Sequence, residues 1–158
     1  MKSNFEFLNR YWPVLAQLGA NAENYLYSDP NACIYKLGMF AERLVQEILV
    51  FEHMDEPKTD NTHANRIRLL KRAGLLPHEI DDTLYVLRKT RNSAVHAGTD
   101  SVDEAKTLLS MTYNLAVWFM ETYGDWGFIA EDFVMPEKEH QADLKSVIED
   151  QEKKIAEL

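Results

Sequence analysis

The sequence contains little cysteine, glycine or proline, and it has no long apolar run. The single cysteine, Cys33, excludes an internal disulfide, fits a reducing cytoplasm and is too little for a cysteine-rich structural zinc site. Six glycines and five prolines disfavour a sandwich or barrel built from many tight turns. No segment approaches the roughly 20 consecutive apolar residues of a membrane span, and the first residues lack the apolar core of a secretory signal. We therefore expect a cytoplasmic protein without membrane association.

The charge of the chain is acidic overall and unevenly distributed. The net charge is −9, yet residues 61–98 hold seven basic and three acidic side chains, whereas residues 99–158 hold five basic and 14 acidic ones. Two interpretations of the basic segment are open. It is either a solvated face that pairs with the acidic remainder, or a local site for phosphate or nucleic acid. The overall acidity weighs against a broad duplex-binding surface.

The apolar residues recur with the period of amphipathic helices throughout the first 123 residues. Pro13 either starts or kinks the first long helix, and Asp29 followed by proline predicts the start of the second. The second helix should run to about Met54. Thr62 or Asn61 is expected to cap a third helix, and a fourth is expected to end at Gly98. A fifth helix is predicted from the capping box at 101–104 to Tyr123.

The pattern changes after Tyr123. Residues 124–128 have turn chemistry, and residues 133–136 predict a short extended segment that Trp126, Phe128 and Phe133 pin across the bundle. Farther on, apolar or neutral residues step by four and three like a coiled-coil seam. They are Leu144, Ile148, Gln151, Ile155 and Leu158.

The predicted fold class is all-α. We expect an antiparallel bundle of about five helices, because short loops join neighbouring helices, with a short extended segment and a coiled-coil-like helix at the C-terminus. The predicted division is a helical bundle at 1–137 and a charged helical connector at 138–158. Since the last helical pattern has no stop signal, we expect that a downstream region follows in a longer protein.

Enzyme signatures are mostly missing from the sequence. We find no glycine-rich phosphate loop, no nucleophile elbow and no zinc-protease motif, and no His, Asp or Glu spacing that predicts a metal site. We therefore expect neither a metal nor a cofactor in this chain. The basic residues remain as candidate contacts for a nucleic acid or a phosphate. They are Arg66, Arg68, Arg72, Arg88, Lys89 and Arg91.

One compact polar constellation lies in the fourth predicted helix. Arg88, Asn92 and His96 fall four residues apart on one helical face, with Arg91 beside it. Such a set suits a ribonuclease centre, in which Arg91 holds the scissile phosphate, His96 moves the proton of the 2′-hydroxyl and Asn92 orients one of them. The alternative is structural: Asn92 and His96 bond to loop backbone, and Arg91 pairs with an acid from the last helix.

The segment Arg91-Asn92-Ser93-Ala94-Val95-His96 resembles the R-x-x-x-x-H motif of the HEPN superfamily of helical bundles. The length of the chain and its order of helices fit that resemblance. The resemblance implies one of two kinds of protein. HEPN members include metal-independent ribonucleases that form their site across a homodimer, and they also include inactive versions that serve as binding or assembly modules.

A closer resemblance covers nearly the whole chain and rests on four segments. These are residues 3–8 (SNFEFL), Asp29-Pro30-Asn31 with residues 36–42 (KLGMFAE), residues 87–96 (LRKTRNSAVH) and residues 115–119 (LAVWF). Together they resemble the N-terminal helical domain of R (restriction) subunits of type I restriction enzymes and related DEAD/DEAH-type helicase proteins.

This second resemblance implies a parent protein that binds DNA, translocates it with ATP and Mg²⁺, and cuts it. The implied partners are methyltransferase and specificity subunits. Because the nuclease and motor motifs are absent from these residues, we expect an interaction or assembly domain that is not itself catalytic. Two alternatives stay open: a homodimeric HEPN ribonuclease, and a structural bundle that dimerises through its last helix.

Overall fold

The computed structural model describes residues 2–97, 101–138 and 149–156, apart from the side chains of residues 94–97. Within these residues the chain is all-helical and contains no strand, which confirms the predicted fold class. A short 3₁₀ helix precedes five α-helices. The elements are the 3₁₀ helix Glu6–Arg10, α1 Pro13–Tyr25, α2 Pro30–Phe51, α3 His63–Arg72, α4 His78–Ala97 and α5 Val102–Tyr123.

Local signals in the sequence fix where most of the helices begin. Pro13 is the first residue of α1. Asp29, Thr62 and Ser101 cap α2, α3 and α5, because each side chain accepts a hydrogen bond from the backbone N–H three residues later. Gly74, just after α3, has a φ of 72°, a left-handed conformation in which glycine carries no steric penalty. The predicted starts of α2, α3 and α5 are confirmed, and Pro13 starts α1, whereas α2 ends at Phe51, slightly earlier than expected.

Helix α2 lies at the centre of the fold and contacts α1, α3, α4 and α5. Its sequence explains this position, since apolar residues cover most of its circumference and a helix of that kind is stable only when other helices surround it. The fully buried side chains of α2 include Ile34, Leu37, Phe40, Leu44 and Ile48. Burial raises the pKa of the Cys33 thiol in the same helix to about 12, so this thiol stays protonated at neutral pH.

The long helices α2 and α5 run in the same direction, which differs from a uniformly antiparallel bundle. Phe51 and Tyr123 end the two helices, and their ring centroids lie 4.8 Å apart. At the other end, the Lys106 ammonium in α5 lies 5.3 Å from the ring centre of Tyr27, three residues before α2. Short loops force antiparallel packing only between consecutive helices. Because α3 and α4 separate α2 from α5 in the chain, that rule does not apply to this pair.

A buried carboxylate ties the N-terminal segment to α1. Glu23 is only 6% exposed, and it accepts hydrogen bonds from the Ser3 hydroxyl and from the backbone and side-chain N–H groups of Asn4. Asn4 also exchanges two hydrogen bonds with the backbone of Val134, at 2.8 and 2.9 Å. The polar residues at the start of the chain therefore hold the segment after α5 against α1.

The segment after α5 crosses the bundle, but one of its three predicted anchors is wrong. Phe128 and Phe133 pack against the core, as expected. Trp126, in contrast, is fully exposed at 104%. It lies in the turn region after α5 and projects into solvent, so it cannot pin the segment. The carbonyl of Pro136 accepts a 2.5 Å hydrogen bond from the Tyr27 hydroxyl and supplies a further anchor.

Residues 149–156 are helical and exposed. Ile155 is 71% exposed, so this member of the predicted coiled-coil seam does not pack against the bundle. The other apolar members, Leu144, Ile148 and Leu158, lie outside the described residues. The coiled-coil seam and the division between 1–137 and 138–158 stay predictions, and the predicted helix end at Gly98 also lies outside the described residues.

Candidate functional site

Arg91 of α4 is held by a carboxylate of α2. Its guanidinium Nη1 donates a 2.7 Å hydrogen bond to Oε2 of Glu42, and its side chain is 19% exposed. Sequence reasoning offered two interpretations of Arg91, a phosphate ligand or the partner of an acid from the last helix. The structure pairs it with an acid, but the acid belongs to α2.

Gly38 makes room for the Arg91 side chain. A Cβ atom at position 38 would lie 2.2 Å from Cδ of Arg91 and 2.8 Å from its Cβ. A glycine inside a helix costs about 1 kcal/mol relative to alanine. The glycine is nevertheless needed here, because the aliphatic stem of Arg91 crosses α2 directly over Gly38. The guanidinium of Arg91 then reaches Glu42, one helical turn farther along α2.

Glu42 is also close to a second buried arginine. The Nη1 atom of Arg66 in α3 lies 3.8 Å from Oε1 of Glu42, and the Nε atom of Arg66 donates a 2.7 Å hydrogen bond to Glu56. Burial by itself raises the pKa of Glu42, but the hydrogen bond and the charge of Arg91 outweigh it, with help from His63 and Arg66, so the pKa is lowered overall. Glu42 is therefore ionised at neutral pH.

His63 lies buried beside this ion-paired cluster. It is the first residue of α3 and only 7% exposed, and neither ring nitrogen has a hydrogen-bond partner among the described residues. Burial lowers its pKa to about 4, the positive charges of Arg91, Arg88 and Arg66 act in the same direction, and Glu42 opposes them. The imidazole is thus neutral at pH 7. We call Glu42, His63, Arg66 and Arg91 the Glu42 cluster.

The other members of the predicted motif do not join the Glu42 cluster through any described hydrogen bond or ion pair. Asn92 is exposed, and the side chain of His96 lies outside the described part of α4. Arg88 and Lys89 lie around the exposed ring of Tyr85, with their charged groups 5.7 and 5.4 Å from the ring centre. The catalytic roles of Arg91, Asn92 and His96 stay predictions.

The six predicted phosphate contacts fall into three groups, of which Arg88 and Lys89 around Tyr85 form one. Arg66 and Arg91 are directed inward and paired with carboxylates. Arg68 and Arg72 lie on an exposed face of α3 beside the loop that precedes it. Sequence reasoning treated these basic residues as one set, because charge alone does not reveal which of them point inward.

Sequence reasoning missed Glu42 and His63 as members of the site. Glu42 lies 49 residues before Arg91, so no local spacing connects the two residues. His63 follows a cap residue in a basic helix, a position that by itself indicates only a helix start. The one available signal was Gly38 inside the predicted second helix, because a glycine within a helix can mark a close approach by another segment.

Neither metal ligation nor membrane crossing is indicated by the described residues. No group of three or more His, Cys, Asp or Glu side chains in this part of the chain is arranged to hold a metal ion. None of its helices combines the length and the apolarity that crossing a bilayer requires. The Glu42 cluster itself offers fixed charges and one neutral imidazole.

Comparison with protein families gives a match over most of the chain. The model of a domain family of unknown function, DUF4145, matches residues 20–156. The chain belongs to this family. Helices α2 to α5 and the Glu42 cluster all lie inside the matched segment, so the site just described is part of the DUF4145 domain.

A curated relative connects the DUF4145 domain to a restriction system. Over 138 residues the chain is 30% identical to the type I restriction enzyme EcoKI endonuclease subunit of Escherichia coli strain K12. The similar region covers 87% of this chain and 12% of the relative, so the chain spans about an eighth of the length of that protein. No solved structure matches the chain.

Proposed function

We propose that this chain is an interaction and assembly domain of a type I restriction endonuclease subunit, with a HEPN-like arrangement of helices and a cytoplasmic location. The observation that carries the proposal is the 30% identity to the EcoKI subunit over 87% of the chain. The domain would lie at the N-terminal end of its parent. The parent would use ATP and Mg²⁺ to translocate and cut DNA, and we assign those activities to parts of the parent other than this domain.

An exposed apolar tip after α5 supports an assembly role. Trp126 is 104% exposed and Ile129 is 87% exposed. Ile129 also borders a cleft of about 410 Å³, whose lining residues include Phe7, Phe128 and Asp132. Tryptophan is enriched among the residues that dominate interface energies. We propose that this tip binds the methyltransferase or specificity subunit of a type I complex. The bound segment of that subunit would carry apolar side chains to match Trp126 and Ile129 and basic side chains to match Asp132.

The assembly proposal predicts that the exposed tip is needed for complex formation. The 158-residue chain, immobilised, should retain the methyltransferase and specificity subunits encoded with its parent, and the double variant Trp126→Ala/Ile129→Ala should weaken retention at least tenfold. The loss of one interface hot spot already costs about 2 kcal/mol. Surface plasmon resonance gives both affinities.

Tyr35→Ala is the matched control for that experiment, because Tyr35 is 45% exposed and lies in the first two turns of α2, away from the Phe51 end of that helix. Its affinity should equal that of the original chain. If the original chain does not bind either subunit, the assembly proposal is wrong. If the tip variant binds as well as the control, the tip is the wrong surface.

A metal-independent ribonuclease that acts as a homodimer is the second candidate. It requires Arg91 to hold a substrate phosphate, and the guanidinium of Arg91 already donates to Glu42 at 2.7 Å. A phosphate bound by the remaining donors of Arg91 would lie beside the carboxylate of Glu42 in a partly buried ion pair, where the two negative charges repel each other. We rank the ribonuclease second for this reason.

A further inference from the structure

A basic pocket lies between the loop before α3 and the exposed face of α3. Its volume is about 280 Å³, and the residues around it include Lys58, Thr59, Asn65, Arg68 and Arg72. A liquid water molecule takes about 30 Å³, so the pocket has room for a phosphate group with several of its bound waters. We call these five residues the Arg68 pocket.

The charge in the Arg68 pocket is of one sign. Three cationic side chains line it and no carboxylate does. Within the part of the chain that the structure describes, Lys58, Arg68 and Arg72 have no carboxylate within 4 Å, while Arg66 and Lys71 of the same helix pair with Glu56 and Asp81. In helix α3, carboxylates therefore neutralise the charges of Arg66 and Lys71. The two arginines at the pocket have no such counter-charge.

This arrangement costs stability when the pocket holds no anion. Arg68 and Arg72 are four residues apart, and like charges at that helical spacing destabilise a helix. Acidic side chains could offset this repulsion, and the chain, with its net charge of −9, contains many of them. In the described part of the chain they lie elsewhere and not beside these two arginines. A bound anion offsets the repulsion between the two arginines, because it attracts both of them.

Hydrogen bonds hold one arginine of the pocket in a fixed direction. The Asn65 side-chain N–H donates to the carbonyl of Asp60 at 2.8 Å, and the Asn65 carbonyl oxygen accepts from Arg68. Asp60 has a φ of 50°, so the loop turns sharply at this point and brings its carbonyl to Asn65. Asn65 is thus a positioning residue, and the remaining donors of Arg68 are available to a ligand.

The geometry points to a binding site for one phosphate group. The two guanidinium groups suit phosphate because their planar forks match its oxygens, and the Lys58 ammonium and the Thr59 hydroxyl add single donors. We assign the group to the backbone of a DNA strand, and this choice of source rests on the proposed function. The acidic remainder of the chain limits the contact to a local one, since a polyanion is repelled beyond the pocket.

The test measures phosphate and DNA binding to the whole 158-residue chain and to Arg68→Gln/Arg72→Gln. Inorganic phosphate should raise the melting temperature of the original chain and leave that of the variant unchanged. Fluorescence anisotropy with a labelled DNA duplex, between about 50 and 200 mM salt, should show at least tenfold weaker binding by the variant. The slope of log K against log salt concentration should fall by about one for each phosphate contact that is lost.

Lys153→Gln/Lys154→Gln is the matched control, because both lysines are exposed and the change removes the same two charges elsewhere in the chain. Its DNA affinity and phosphate response should stay those of the original chain. If phosphate stabilises only chains with an intact pocket but DNA affinity is unchanged, the assignment to DNA is overturned. If the pocket variant matches the control in both measurements, the site itself is overturned.

The result is separable from that of the assembly proposal. Retention of the methyltransferase and specificity subunits depends on the tip at Trp126 and Ile129, and Arg68→Gln/Arg72→Gln should leave it unchanged. Conversely, Trp126→Ala/Ile129→Ala should leave the phosphate response unchanged. Each proposal therefore fails or stands by its own variant.

Discussion

Replacing Glu42 with Gln should lower the free energy of unfolding by about 2 kcal/mol at pH 7. The change removes the negative charge of the group that accepts from Arg91 at 2.7 Å, and it leaves the charges of Arg91 and Arg66 around an uncharged amide. Breaking a fully buried ion pair costs about 3–5 kcal/mol, and exposed pairs are worth less than about 1 kcal/mol. The side chains of Glu42 and Arg91 are 33% and 19% exposed, which places this pair between the two limits. Urea unfolding followed by circular dichroism gives the value.

Glu47→Gln is the control on the same helix. Glu47 accepts from Arg43 at 3.0 Å across one helical turn, with side chains 25% and 45% exposed, and such pairs contribute only about 0.3–0.5 kcal/mol. The double variant Glu42→Gln/Arg91→Met should recover most of the lost stability, because methionine keeps an apolar stem over Gly38 and removes the unpaired charge. A loss for Glu42→Gln that is no larger than for Glu47→Gln would refute the structural role of the pair.

The stability of the chain should also fall by about 2 kcal/mol between pH 7 and pH 5 through His63 alone. Burial holds the pKa of His63 at about 4 in the folded chain, whereas an exposed histidine has a pKa near 6.5. Between these values the unfolded chain binds a proton that the folded chain does not. Lowering the pH therefore favours the unfolded state. Unfolding free energies measured at pH 7, 6 and 5 give this slope.

His63→Leu should remove that share of the pH dependence, because leucine fills the buried position without a titrating group. His53→Asn is the control, since His53 is exposed and asparagine tolerates its φ of 55°. The pKa of Glu42 is lowered, so its stabilising contribution is present above the ordinary carboxyl range and is lost only as the pH falls below it. A His63→Leu chain with the same slope as the original chain between pH 7 and pH 5 would contradict the burial of a neutral imidazole.

The helix starts could be predicted because their causes are local. A capping side chain accepts a hydrogen bond from the backbone N–H three residues later. Proline is favoured at the first helical position because the N–H that it lacks would have no partner within the helix there. Asp29 and Ser101 were therefore recognised from the sequence, Thr62 was one of two candidate caps, and starting the first long helix was one of two expectations for Pro13. The relationship to type I restriction subunits was also predicted, from short segments in four parts of the chain, and the 30% identity to the EcoKI subunit supports it.

The partners of the site residues could not be predicted because their causes are not local. One of the two interpretations of Arg91 paired it with an acid of the last helix, but it pairs with Glu42 of α2 because the packing of α2 against α4 brings these two residues together. Trp126 was expected to be an anchor because tryptophan is usually buried, yet its place in the turn region after α5 leaves the indole in solvent. In each case the tertiary arrangement decided the result.

The most direct test of the central claim is incubation of the chain with single-stranded and structured RNA in excess EDTA. The claim is that Arg91 is a structural tie to Glu42 in an assembly domain and not a catalytic residue. We predict no cleavage above the protein-free rate for the original chain, for His96→Ala or for Glu42→Gln, which removes the carboxylate charge beside Arg91. Cleavage by the original chain that is lost in both Arg91→Ala and His96→Ala would contradict the claim and establish the ribonuclease.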